Sequence, residues 1–143
     1  MGSGRVLGID YGDVRTGLAL SDESGFLASG LCTLETGGEK RLIEKIMAEI
    51  DGKSISEIVV GDPVNMDGTH GRRSEKASAF AKKLELRTGI PVKMFDERRT
   101  TIAAGTFMNE TNTRGKKRKA VVDTLSAEII LQNYLDYKRN TSK

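Results

Sequence analysis

The chain has 143 residues, with 23 Lys and Arg against 20 Asp and Glu, a net charge of +3, and 37% apolar residues. That is enough chain for one domain with a real core and too little for two; no run approaches the length of a membrane span. A single cysteine, Cys32, and a single histidine, His70, exclude an internal disulfide and a Cys/His zinc site, so side-chain chemistry falls to carboxylates.

The elements follow in chain order. Met1–Ser3 reads as an appended start, no secretory signal follows it, and the cytoplasm is the default location. Val6–Ile9 is an apolar run expected as a buried strand, and Thr16–Ser21 is its hairpin partner across the Gly12 turn. Phe26–Leu34 supplies a third strand, in which Cys32 is a buried structural thiol. Leu42, Ile43, Ile46, Met47 and Ile50 recur at helical spacing until Gly52 stops the helix. Ile55–Val60 is a β-branched strand that runs out at Gly61-Asp62-Pro63. After a polar loop comes a helix over about 72–87, with Ala77, Phe80, Ala81 and Leu84 as its apolar stripe and Gly89 at its end. Pro91–Phe95 makes a fifth strand ending on Asp96-Glu97. A short helix near 101–108, a mobile basic loop at 110–118, a last helix over about 119–138 and a frayed end at 139–143 complete the chain.

Three strands joined by short turns predict an antiparallel meander, and strands separated by helices predict right-handed parallel crossovers. The expected fold is α/β: a mixed five-stranded sheet with helices on both faces, one domain over 1–143. Sites in such sheets gather at the carboxyl ends of the parallel strands. Asp10, Asp62, Asp96 and Glu97 all fall at that edge, and Asp123 lies on the last helix one turn before Ala127.

Carboxylates converging in a partly buried place repel one another, and some stay protonated unless a cation joins them. A hard divalent ion, Mg²⁺ or Mn²⁺, resolves the conflict, and a pair of ions clamps the attacking and leaving oxygens of a phosphodiester. Each acid also has a plain alternative: Asp10 capping a turn, Glu97 paired with Arg98 or Arg99, Asp123 starting a helix. The basic clusters Arg72-Arg73 and Arg114-Gly-Lys-Lys-Arg-Lys119 suit phosphates flanking a cut. With only 5% aromatics, base stacking is not the main device of recognition.

Four separated stretches, Gly8-Ile-Asp-Tyr-Gly-Asp-Val-Arg-Thr-Gly17, Val59-Val-Gly-Asp-Pro-Val-Asn-Met-Asp-Gly68, Asp96-Glu-Arg-Arg-Thr-Thr101 and Lys119-Ala-Val-Val-Asp-Thr-Leu-Ser-Ala-Glu-Ile-Ile-Leu-Gln132, closely resemble the bacterial YqgF/RuvX family. The resemblance runs from about residue 5 to 137. It implies a ribonuclease H-like fold and a nuclease, in a family described both as Holliday junction resolvases and as enzymes maturing the 5′ end of pre-16S ribosomal RNA. It implies Asp10 as the first-strand metal ligand, Glu97 as the second acid and Asp123 as the helix acid that closes the site, with Asp96 orienting or ligating. Arg15, Asn65, Arg98, Thr100 and Thr101 would contact the nucleic-acid backbone, alongside Arg72, Arg73, Arg114, Lys116, Lys117, Arg118 and Lys119. Where this chain has Asp62 the family usually has an apolar residue, so Asp62 is either an added ligand or a turn residue before Pro63.

The expected substrate is structured RNA, pre-rRNA first and branched DNA second, met on a ribosomal particle by a monomer or weak dimer. An actin-like ATPase shares the Asp-x-Gly hairpin but needs two such domains. A binding module without catalysis would not need acids at 10, 97 and 123.

Overall fold

The computed structural model describes residues 4–65, 67–97 and 115–141, and in the last stretch side chains from Thr124 to Asn140. The elements are β1 (Arg5–Asp10), β2 (Arg15–Ser21), β3 (Ala28–Glu35), α1 (Glu39–Ile50), β4 (Ile55–Asp62), α2 (Arg72–Thr88), β5 (Val92–Asp96) and α3 (Gly115–Thr141). They build one five-stranded sheet in the order β3-β2-β1-β4-β5. The β1–β2 and β2–β3 pairs are antiparallel, and β1–β4 and β4–β5 are parallel. This is the mixed sheet that the spacing of turns and helices predicts. The helix expected near 101–108 lies outside the described residues.

Strand alternation sorts the core into two layers. Leu7, Ile9, Leu18, Ile58 and Val60 point to one side, where the apolar stripes of α1 (Leu42, Ile43, Ile46, Ile50) and α2 (Ala77, Phe80, Ala81, Leu84) cover them. Val6, Ala19, Val59 and Phe95 point to the other, under Ala127, Ile130, Leu131, Tyr134 and Leu135 of α3. Each such fully buried Leu, Ile or Phe stabilises the fold by about 1.5–3 kcal/mol, so both faces of the central strands are committed. α2 ends where Gly89 turns left-handed at φ 73°, its N–H donating to the Glu85 carbonyl at 2.8 Å.

α3 lies very close to β1. A Cβ on Gly8 would stand 2.7 Å from the Leu131 Cβ and 3.2 Å from the Ala127 carbonyl oxygen, so only glycine permits this approach. Further along, the Tyr134 hydroxyl bonds Glu57, the register neighbour of Val6. The helix therefore runs antiparallel to β1, and the turn before Ala127 heads toward Asp10. A helical turn of about 5.4 Å matches the two strand residues, about 6.6 Å, from Gly8 to Asp10.

Boundaries at β3 and at both ends of α3 differ from the sequence pattern. β3 starts at Ala28, not Phe26, because the Asp22 carboxylate takes the N–H groups of Phe26 and Leu27 at 2.9 and 3.3 Å, binding them into the turn. α3 is helical from Gly115 through Thr141, so residues 115–118, expected as loop, and 139–141, expected as a frayed end, belong to it. Lys116, Lys117 and Arg118 have good helix propensity, and Arg139 is held by Asp136 and the Phe26 carbonyl.

Candidate functional site

β1 alternates Val6, Gly8 and Asp10 onto the α3 face, so Asp10 emerges on that face at the carboxyl end of the strand. Gly17 is its register partner on β2, and Thr33 on β3 is the partner of Gly17. The hydroxyls of Thr33 and Thr124 hydrogen-bond to each other, which brings the α3 backbone beside residue 123 level with this row. The Asp123 side chain lies outside the described residues.

Glu97 follows β5 directly, and its side chain lies over Gly61 of β4. Its Oε2 is 2.8 Å, and its Cγ 3.1 Å, from the point where a Gly61 Cβ would stand, with Ile130 Cδ1 2.6 Å from the same point. Glu97 thus shares the α3 face with Asp10. Burial first, and then the Asp10 charge, push its carboxyl up to about 7 from an ordinary 4.5. Asp62 and Asp96 add to that push, and Arg73 opposes it. The acids of the strand ends do gather at one edge.

They do not all face the same way. Asp62 follows Ile58 and Val60 onto the α2 face, and Asp96 is its register partner. The Ser74 hydroxyl, on a buried residue of α2, donates to Asp62 Oδ1 at 2.5 Å. His70 Nδ1 stands 2.8 Å from that hydroxyl and 3.6 Å from Asp62 Oδ2. Asp62 is therefore engaged by the start of α2, on the side of the sheet away from Asp10 and Glu97. Among the described residues no three acidic, His or Cys side chains form a ready group of metal ligands. What Asp10 and Glu97 offer is a pair of hard oxygen donors, one of them pushed well above its ordinary carboxylate value, a set that fits a hard divalent cation.

The turn that follows Asp10 is clamped. The buried Thr36 hydroxyl donates to the Gly12 carbonyl at 2.7 Å and meets the Thr16 hydroxyl at 2.8 Å. The Tyr11 ring stacks on Phe80 with centroids 4.3 Å apart, and Lys76 reaches Asp13 at 3.3 Å. None of these partners was legible in the sequence, since Thr16 and Thr36 are ordinary strand-end residues and Tyr11 carries no spacing signal.

The basic and polar residues are placed unevenly. Arg72 and Arg73 are exposed at the start of α2, with Arg73 close enough for its charge to act on Glu97. Arg15 opens β2, on the same alternation as Gly17 and Ala19 and so on the Asp10 face. Asn65 closes its own loop, its amide donating to the Thr69 hydroxyl at 2.9 Å. Lys116, Lys117, Arg118 and Lys119 lie in the first turns of α3, their side chains outside the described residues. Arg98, Thr100, Thr101 and Arg114 lie outside them altogether. Burial, with Glu49 nearby, pushes the Cys32 thiol up to about 11, which leaves it unreactive at neutral pH.

Known proteins resemble this chain along its whole length. The RuvX family, described as Holliday junction resolvase, matches residues 4–137. A Clostridioides difficile protein named "Putative pre-16S rRNA nuclease" is 44% identical over 138 residues, covering 96% of this chain and 98% of its own length. A Clostridium kluyveri protein of the same name is 45% identical over 132 residues, covering 92% of this chain and 96% of its own. Among solved structures, T. thermophilus RuvC in complex with a Holliday junction substrate superposes with a TM-score of 0.56 at 16% identity, covering 98% of both chains. Fowlpox virus resolvase with Holliday junction DNA gives 0.50 at 11% identity, covering 97% of this chain and 99% of that one. At such identities the likeness is one of fold, and the fold is ribonuclease H-like.

Proposed function

The chain belongs to the RuvX family of nucleases, and on that footing we propose that it is a divalent-metal-dependent endonuclease acting in the 5′ maturation of pre-16S ribosomal RNA. The observation that carries the site is the pair on the α3 face: Asp10 and a Glu97 whose carboxyl is pushed up to about 7 by burial and by Asp10 itself. Neighbouring acids kept in such conflict have a use when a cation arrives to relieve it. The names of the 40–45% identical relatives support the RNA substrate.

In this reading Asp10 and Glu97 hold the ion, and Asp123, carried to the same level by α3, completes the set. Bound there, Mg²⁺ or Mn²⁺, two ions with substrate present, would supply Lewis acidity toward a water and a leaving oxygen of the phosphodiester. Glu97 would serve there as the carboxylate, its proton left to solvent. Asp96 and Asp62 stand on the other face and act through charge. Arg73, with Arg15 and Arg72, holds phosphates beside the cut. The row Arg114, Lys116, Lys117, Arg118 and Lys119, with Arg98, Thr100, Thr101 and Asn65, extends that contact along the backbone. One ribonuclease H-like domain over 1–143 does this work, as a monomer or weak dimer on a ribosomal particle in the cytoplasm. No helix among the described residues is long and apolar enough to cross a membrane.

The family description favours a second reading, resolution of four-way DNA junctions. Both are tested by offering the purified protein a pre-16S 5′ precursor and a mobile junction side by side, with Mg²⁺ or Mn²⁺ and with Asp10→Asn and Asp123→Asn controls. RNA cleavage that disappears in both variants is expected. Junction cleavage alone would favour the second reading, and binding without cutting under any metal would reduce the protein to a binding module.

A further inference from the structure

We infer that Gly61 is a positioning residue for the reaction: its bare Cα is the floor on which Glu97 crosses β4 to reach the Asp10 side of the sheet. The inference rests on the site proposed above and concerns what shapes it. Gly61 pairs with Phe95 in the β4–β5 register, and Glu97 lies just beyond that pair, so its side chain reaches inward over β4. Gly61 follows Val60, the partner of Ile9, and so stands between the strand that bears Asp10 and the segment that bears Glu97. Any side chain on Gly61 would stand where Glu97 now lies.

The argument turns on which atoms a Cβ would meet. At 2.6 Å it meets Ile130 Cδ1, and at 2.8 Å Glu97 Oε2, distances that real Cβ atoms do not sustain. Both atoms are the far ends of flexible side chains, not backbone. An alanine at 61 is therefore accommodated by rotamer changes in Ile130 and Glu97, without moving the sheet. Gly8, on the same face, is the contrast: there a Cβ meets the Leu131 Cβ and the Ala127 carbonyl, which only a shift of α3 would relieve. Gly8 serves packing of the helix. Gly61 serves the location of one carboxylate.

Gly61→Ala, Ile130→Val, the double variant and Glu97→Gln are compared by Mn²⁺ binding to the metal-free protein in isothermal titration and by thermal unfolding. Glu97→Gln lowers Mn²⁺ affinity if the site is as proposed. Gly61→Ala is expected to lower it roughly ten- to a hundredfold, while the unfolding midpoint falls by no more than about 5 °C. Ile130→Val alone keeps the wild-type Mn²⁺ affinity. The double variant regains the midpoint but not the affinity, because the Cβ still lies under Glu97. Recovery of both together would make Gly61 a packing residue only and overturn the inference. So would wild-type affinity in Gly61→Ala when Glu97→Gln has lost it. If Glu97→Gln binds Mn²⁺ normally, the site itself is wrong and the role of Gly61 falls with it.

Discussion

Asp10, at the end of β1, and Glu97, just past β5, stand on the same face of the sheet at its carboxyl edge, with Gly61 of the intervening β4 between them. After burial, the charge of Asp10 is the strongest influence on the Glu97 carboxyl. That relationship governs how the protein responds to pH, to metal and to substitution.

Removing the Asp10 charge makes the metal-free protein more stable, and abolishes cleavage when metal is supplied. Glu97 is raised above its ordinary value in the folded chain, so the folded state binds its proton more tightly than the unfolded state does. The stability this contributes is full below about 4.5 and is lost as pH rises through about 7. Asp10→Asn removes the like charge and lowers that raised value. Chemical denaturation at pH 8 without metal should find the variant more stable than the wild type, with the gain shrinking toward pH 5. Equal loss of stability at both pH values would contradict the repulsion.

Asp62 is expected to serve the start of α2. Asp62→Leu leaves the buried Ser74 hydroxyl without its acceptor on β4, a loss of about 1–3 kcal/mol, and leaves Mg²⁺ affinity and cleavage rate near wild type. Asp62→Asn keeps an acceptor and should be intermediate in stability. A more than tenfold fall in metal affinity in Asp62→Leu, followed by calorimetry, would instead put Asp62 in the metal site.

Much of this arrangement was legible in the sequence, and the part that was not has a physical reason. The apolar runs and helical stripes sort into strands and helices because Leu42, Ile46, Phe80 and Leu84 repeat at 3.6 residues while Val6–Ile9 and Ile58–Val60 do not. Chain order alone then puts Asp10, Asp62, Asp96 and Glu97 at one edge. It does not say which face each takes, because these central strands are apolar on both sides and show no inside–outside alternation. Only the two core layers separate Asp10 and Glu97 from Asp62. Ser74 and His70 gave no signal, since the chain of contacts from His70 through the Ser74 hydroxyl to Asp62 forms across a polar loop.

Arg73 offers the exposed cation near Glu97. Arg73→Ala should weaken substrate binding severalfold and lower the slope of log affinity against log salt by about 1, with little change in the rate at saturating substrate. Binding isotherms at three or four salt concentrations give the slope. An unchanged slope would remove Arg73 from the phosphate contacts.

The most direct test is to follow the side-chain carboxyl of Glu97 by carbon NMR through a pH titration, first without divalent metal and then with Mg²⁺. A midpoint near 7 in the metal-free protein that moves well down into the acid range with Mg²⁺ is the expected result. An ordinary carboxylate midpoint, indifferent to Mg²⁺ and to Asp10→Asn, would contradict the shared site.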